Sequence, residues 1–222
     1  MKLDTNILFW NVDTQKDFIQ TDGALSVTDA QNIVPNLARL TQLAADYNLQ
    51  VVNTADWHYA HSAELSTNPD FVHTYPPHCL ADTDGAAYIA QTQPLNPAII
   101  HWDDKGVDPV ALSNRNIVLY KDAFDVFSGN PHTDSVLAQL PQSRVVVYGV
   151  ATNVCVEKAV RGLVQRGKDV YVVSDAIKHL PHLDEMDHPL YKGLEGTLLG
   201  WRELGVKELK TDGLATELGL YK

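Results

Sequence analysis

The feature that most constrains this chain is a rhythm in which short β-branched or apolar runs alternate with longer segments of helical period. Candidate strands fall at residues 7–12, 50–54, 98–102, 116–120, 144–149 and 169–173, and candidate helices at 33–47, 133–140, 153–166 and 191–204. Strands that alternate with helices are the signature of βαβ units wound around a parallel sheet, so the expected class is α/β. Thr133, with Asp134 in the first turn, supplies a helix start, while Asn48 and Gly167 supply stops. The rhythm breaks once. Residues 55–97 are rich in His, Pro, Asp and Thr and show little periodicity. Long irregular segments inside compact folds usually serve function, so this one is expected to be an ordered insertion that covers a site.

A parallel sheet puts the carboxyl end of every strand at one edge, and ligands bind in the crevice outside that edge. Asp13 ends the first strand, Asp56 and His58 follow the second, Lys121 ends the strand at 116–120, and Cys155 follows the strand at 144–149. The topology therefore brings these polar residues to one edge. Singly, each has an ordinary explanation. Asp13 suits a turn, Lys121 suits solvent, and Cys155 shares a helical face with Ala159, Gly162 and Leu163 that could simply pack. Together they make chemistry. Cys155 opens a helix, where the dipole favours a thiolate; an adjacent carboxylate can take the thiol proton, and a lysine can hold that carboxylate and stabilise negative charge.

A second cluster begins at Asp56-Trp57-His58, continues with His61, and resumes at Tyr75-Pro-Pro-His78-Cys79. Asp56 and His58 can point the same way from an extended segment, and a third imidazole from the Pro-rich loop would complete a facial set. One carboxylate with two or three imidazoles suits a divalent Zn, Fe or Mn ion. Cys79 has no strand-to-helix turn behind it, so it reads as a packing residue or as support behind a ligand. His179 and His182 bracket Pro181 and read as loop residues.

Composition narrows the function classes. A chain of 222 residues supports one sizeable core, and no segment approaches the ~20 apolar residues of a membrane span, so one soluble domain spanning residues 1–222 is expected. A formal net charge of −11 without a Lys/Arg block argues against nucleic acid and against anionic membrane surfaces as partners. Two cysteines cannot build a stapled secreted framework, and no targeting segment is evident, so the expected compartment is the cytoplasm.

The stretches Asn11-Val-Asp13-Thr-Gln-Lys-Asp-Phe18, Tyr120-Lys121-Asp-Ala-Phe-Asp-Val-Phe-Ser-Gly129 and Gly149-Val-Ala-Thr-Asn-Val-Cys155 resemble the three blocks of the isochorismatase-like cysteine hydrolases. The resemblance implies a Rossmann-like three-layer sandwich with a six-stranded parallel sheet and helices on both faces. It also implies a catalytic triad of Asp13, Lys121 and Cys155, an oxyanion hole from the backbone of Ala151 and Cys155, and a cis peptide at Val150-Ala151. Asp56-Trp-His58 and Pro77-His78-Cys79-Leu-Ala-Asp-Thr-Asp-Gly85-Ala look like the metal-binding blocks of the nicotinamidase branch. That likeness assigns Asp56, His58 and His78 to a divalent metal, with His61 as a further candidate. Here Tyr59 follows His58 where the branch usually has Pro, and Tyr75 stands where it usually has Trp.

The implied activity is cleavage of a small carboxamide, nicotinamide to nicotinate and ammonia, through a cysteine thioester. Phe18, Tyr75 and Val150 are the candidate substrate-binding residues, and the metal is expected to take the ring nitrogen. The implied assembly is a homo-oligomer, a dimer or tetramer. Two alternatives stand beside this reading: a metal-independent hydrolase of carbamoyl or ureido compounds on the same fold, and a non-catalytic binding or redox protein in which Cys155 is a buried or sensing thiol.

Overall fold

The computed structural model describes residues 6–113, 115–184 and 193–220. In chain order they form β1 (Ile7–Val12), α1 (Lys16–Ile19), α2 (Val34–Asp46), β2 (Gln50–Asp56), β3 (Ala98–Ile100), β4 (Asn116–Lys121), α3 (Val126–Gly129), α4 (Thr133–Gln139), β5 (Arg144–Val150), α5 (Cys155–Gln165), β6 (Asp169–Lys178), α6 (Gly193–Glu203), β7 (Lys207–Leu209) and α7 (Leu214–Glu217). The strands lie in the order β3-β4-β2-β1-β5-β6-β7, and each neighbouring pair is parallel. β1 is buried at every position, as is all of β5 but its first residue, because helices cover both faces. α5 packs against β5, β6 and β1, while α2 reaches β6.

The α/β class and the parallel sheet match the sequence reading, but the sheet has seven strands rather than six. The extra one is β7, three residues of which Lys207 and Glu208 are exposed. So short and polar a run carries no apolar signal, and only its register beside Tyr171–Val173 makes it a strand. The helix expected at 191–204 is seen from Gly193, and residues 191–192 lie outside the described residues. Asn48 and Gly167, read as helix stops, both take left-handed backbone, with φ of 49° and 73°. α4 starts at Thr133 with Asp134 in its first turn, as the sequence reading has it, and the Thr133 hydroxyl bonds back to the carbonyls of Val126 and Asn130 rather than capping the helix. Among the described residues no helix is long and apolar enough to cross a membrane.

Topology locates the crevice. From β1 the chain moves to β2 on one side, and from β5 it moves to β6 on the other, so the carboxyl ends of β1 and β5 flank the point where the winding reverses. Residues 57–97, between β2 and β3, hold no helix and only isolated bridges, His58 with Leu80, Leu65 with Tyr75, and Gln15 with Tyr88. Polar caps tie this segment down. Asp70 Oδ1 accepts from the N–H groups of Val72, His73 and Thr74, and those bonds hold its carboxyl below the usual range.

Gly149, the penultimate residue of β5, has φ 120°, and a Cβ there would lie 2.0 Å from the Val12 carbonyl oxygen. Neither rotation nor repacking relieves a clash with a neighbouring strand's backbone. Gly149→Ala is expected to lower stability by about 3 kcal/mol or more, a fall in Tm of roughly 6–12 °C for a chain of this size, read by thermal unfolding.

Candidate active site

Three strand ends and one helix start converge at the carboxyl edge. Asp13 leaves β1 with φ 48°, a left-handed conformation that Asp tolerates, and its N–H donates to the Thr54 carbonyl at 3.2 Å. The turn directs its carboxylate inward. Oδ1 accepts from Thr54 Oγ1 at 2.6 Å, while Oδ2 lies 3.1 Å from Lys121 Nζ and has no aligned hydrogen-bond donor. Asp56 and Lys121 are register partners across β2 and β4, so their side chains stand on one face, and Lys121 Nζ also contacts Asp56 Oδ1. Cys155 is the first residue of α5, and its Sγ lies 3.9 Å from Lys121 Nζ. Asp13, Asp56, Lys121 and Cys155 are all buried.

Burial and charge set the protonation states. Burial pushes the Asp13 carboxyl above its ordinary range, with Lys121 working against it. Burial acts the same way on Asp56, yet Lys121 and the two neighbouring imidazoles overcome it and hold that carboxyl well below the usual range. Lys121, despite its burial, is kept cationic by Asp13 and Asp56. Burial drives the Cys155 thiol well above its usual value, and the Lys121 charge opposes this only in part. The helix start therefore does not yield a resting thiolate. The cysteine needs a base at the moment it reacts, and Asp13 Oδ2 has an unused lone pair beside it.

Val150 and Ala151 are joined by a cis peptide. Beyond it, the backbone N–H groups of Ala151 and Cys155 donate to no acceptor among the described residues, which leaves two donors free beside the thiol.

The second cluster adjoins the first through Asp56. Candidate ligand atoms of Asp56, His58 and His78 lie within 4.8 Å of one another. Asp56 Oδ2 is 3.4 Å from His78 Nε2 and 3.8 Å from His58 Nε2. Each ring is oriented from behind: His58 Nδ1 pairs with Asp122 Oδ1 at 3.0 Å, and His78 Nδ1 donates to the Pro76 carbonyl at 2.7 Å. His58 Nε2 is buried without a hydrogen-bond partner. An orphaned nitrogen facing a carboxylate and a second imidazole is what a divalent ion would satisfy, so these residues fit a metal. A second acidic group, Asp13, Asp56 and Cys155, is equally compact, but Lys121 already supplies its positive charge.

His61 is not part of this cluster. The Ser62 N–H donates to the Tyr59 carbonyl and Ser62 Oγ accepts from the Tyr59 N–H, a tight turn that leaves His61 exposed and stacked on Tyr59. Phe18 and Tyr75 line the cavity that holds Cys155, Asp56 and His78, whereas Val150 does not. As the last residue of β5, Val150 pairs with Lys178 and buries its side chain in the core; its neighbour Ala151 faces the cavity instead. Cys79 is fully buried in the main core, and burial pushes its thiol well up.

Several residues that matter here escaped the sequence reading. Phe124 and Glu64 line the cavity, and Glu64 Oε2 accepts from the Phe124 N–H at 2.7 Å. Burial and the Asp56 charge push Glu64 up to about 8. Glu64 sits in the aperiodic segment, where nothing in the pattern distinguishes it from a solvated acid. Gln15 is fully buried and mounts Asp56, donating to its carbonyl at 2.7 Å, accepting from its N–H at 2.8 Å, and donating also to the Ala86 carbonyl at 2.8 Å. Asp17 clamps the histidine loop by accepting from the Cys79 N–H at 2.7 Å.

Comparison with known proteins identifies the family and the fold. The model of the isochorismatase domain matches residues 7–188. The chain belongs to the isochorismatase family. It is 29% identical over 168 residues to the nicotinamidase/pyrazinamidase of Mycobacterium tuberculosis, which covers 74% of this chain and 82% of that protein. Among solved structures, the pyrazinamidase of Pyrococcus horikoshii in complex with zinc superposes with a TM-score of 0.69 at 22% identity, covering 92% of this chain and 99% of that one. The N-carbamoylsarcosine amidase of Thermoplasma acidophilum gives 0.66 at 21% identity, covering 93% and 96%. These two share the family fold.

Gln15→Leu strands the Asp56 N–H and two carbonyls in a buried setting. It is expected to cost about 2–4 kcal/mol, measured by denaturant unfolding.

Proposed function

We propose that this isochorismatase-family protein is an amidohydrolase that cleaves a small aromatic carboxamide, nicotinamide to nicotinate and ammonia, through a thioester on Cys155. One observation carries the reading. Cys155 and Ala151 line one cavity with Asp56 and His78, and directly behind that lining stand a carboxylate oxygen of Asp13 without an aligned donor, within 4.8 Å of the thiol, and the orphaned imidazole nitrogen of His58. The likeness to the nicotinamidase/pyrazinamidase of Mycobacterium tuberculosis supports the same assignment.

In this mechanism the Asp13 carboxylate accepts the Sγ proton as sulfur attacks the amide carbonyl. The C–S bond forms, and the carbonyl oxygen gains a negative charge that the Ala151 and Cys155 N–H groups receive, each worth about 3 kcal/mol of transition-state stabilisation. Asp13 then passes its proton to the amine, the C–N bond breaks, and ammonia leaves. Water adds to the thioester while Asp13 accepts its proton. The acid departs, and the thiolate recovers that proton. Lys121 keeps its charge throughout and holds Asp13 and Asp56 in place. A divalent ion held by Asp56, His58 and His78 would supply a Lewis-acid anchor for a substrate nitrogen. Phe18, Tyr75 and Phe124 form aromatic walls suited to a flat ring.

Ammonia release from nicotinamide, pyrazinamide and N-carbamoylsarcosine by metal-replete protein tests the proposal. Turnover of the ring amides is expected, with Cys155→Ala slower by about 10³-fold or more. Turnover of the ureido compound alone would transfer the assignment to that branch, and full activity in Cys155→Ala would remove the thioester. Asp122→Ala, which releases His58 Nδ1, is expected to weaken metal binding by about 10–100-fold in a zinc titration.

A further inference from the structure

The crossover from β2 to β3 lacks a helix, so one face of the sheet is roofed incompletely. Toward the amino ends of β2 and β4, α2 covers it from one side and residues 90–95 from the other, and between them lies a cavity of about 290 Å³. It shares no residue with the cavity beside Cys155. Its lining is polar where a sheet face is usually apolar: Asn53 and Tyr148 on the sheet and Thr92 on the facing loop all line it and are all buried. Asn53 and Thr92 are satisfied, through Asn11 at 3.0 Å and Thr14 at 2.7 Å.

Tyr148 differs. It is 2% exposed, yet its hydroxyl has no hydrogen-bond partner among the described residues. Burial pushes that hydroxyl's pKa up, and the Arg115 charge pulls it down, so the guanidinium acts on the same interior. Arg115 lines the cavity, is itself half-buried, and makes no ion pair among the described residues. Among the described residues no carboxylate lines this cavity, although the chain carries 28 Asp and Glu against 17 Lys and Arg. Ala44, Val51 and Leu95 add apolar wall.

We propose that this cavity is a second ligand site, taking a small monocarboxylate with an apolar body, its carboxylate held by the Arg115 guanidinium and the Tyr148 hydroxyl. A cationic fork and a neutral donor match the two carboxylate oxygens, while the alanine and valine wall accepts the rest of the molecule. The site does not depend on the amide-cleaving assignment. Benzoate serves as the probe, with benzyl alcohol as its uncharged analogue. In isothermal titration calorimetry benzoate is expected to bind, and benzyl alcohol about tenfold or more weakly than benzoate. Arg115→Gln should weaken benzoate by about tenfold or more, and Tyr148→Phe by several-fold. Because the hydroxyl is unpartnered, Tyr148→Phe should leave Tm unchanged or raise it; a lowered Tm would mean that the hydroxyl has a structural role instead. Crystals soaked in benzoate should show it between Arg115 and Tyr148. Benzoate seen only beside Cys155, or equal affinity in Arg115→Gln and the parent, would overturn the proposal.

Discussion

The lysine buried between two carboxylates is the interaction on which the rest of this site depends. Lys121 is fully buried, where an ammonium alone would lose several kcal/mol of hydration, and Asp13 and Asp56 make it tolerable. The converse also holds, since neither acid could stay ionised in that interior without it. Removing Lys121 leaves two buried carboxylates without their cation, so the three residues stand as a unit. That unit joins two chemistries: Asp13 faces the thiol, and Asp56 faces the imidazoles.

Sheet register makes the arrangement possible. Asp56 and Lys121 are direct partners across β2 and β4, and Val12 and Gly149 are partners across β1 and β5. A slip of one residue would turn Lys121 to the opposite face, away from both acids. The apolar runs of β1, β2, β4 and β5 therefore do more than fill a core, because their burial on both faces fixes where the polar strand ends meet. Gly149 completes the fit by letting β5 approach Val12 at its last turn.

This explains what was legible in the sequence. Asp13, Asp56, Lys121 and Cys155 could be placed together from strand rhythm alone, because in a parallel sheet the end of each strand has a known location. His61 could not, because its direction is decided by the Tyr59–Ser62 turn rather than by any period. Val150 and Ala151 differ by one residue in sequence and by core against cavity in space, a distinction that depends on where β5 lets go of β6. Glu64 and Gln15 gave no sign of their importance, since a buried acid and a buried amide look like surface residues until their partners are known. β7 was invisible for the opposite reason: it has little burial to betray it.

The irregular crossover accounts for both the site and the gap beside it. A helix between β2 and β3 would cover the sheet evenly, but it would hold its side chains at a fixed pitch and could not bring His58, Glu64, Tyr75 and His78 around one carboxyl edge. A loop can, provided that something other than helical hydrogen bonding orders it. Asp17, Gln15 and Asp70 do this by accepting or donating to its backbone at three separate places. The same substitution leaves the amino half of that sheet face without a helix to seal it, and polar residues such as Asn53 and Thr92 stand where apolar ones would otherwise pack. Their hydrogen bonds run to Asn11 and Thr14, and Thr14 adjoins Asp13 in the chain, so the polar wall of the second cavity is anchored on the same β1 end that carries the candidate base.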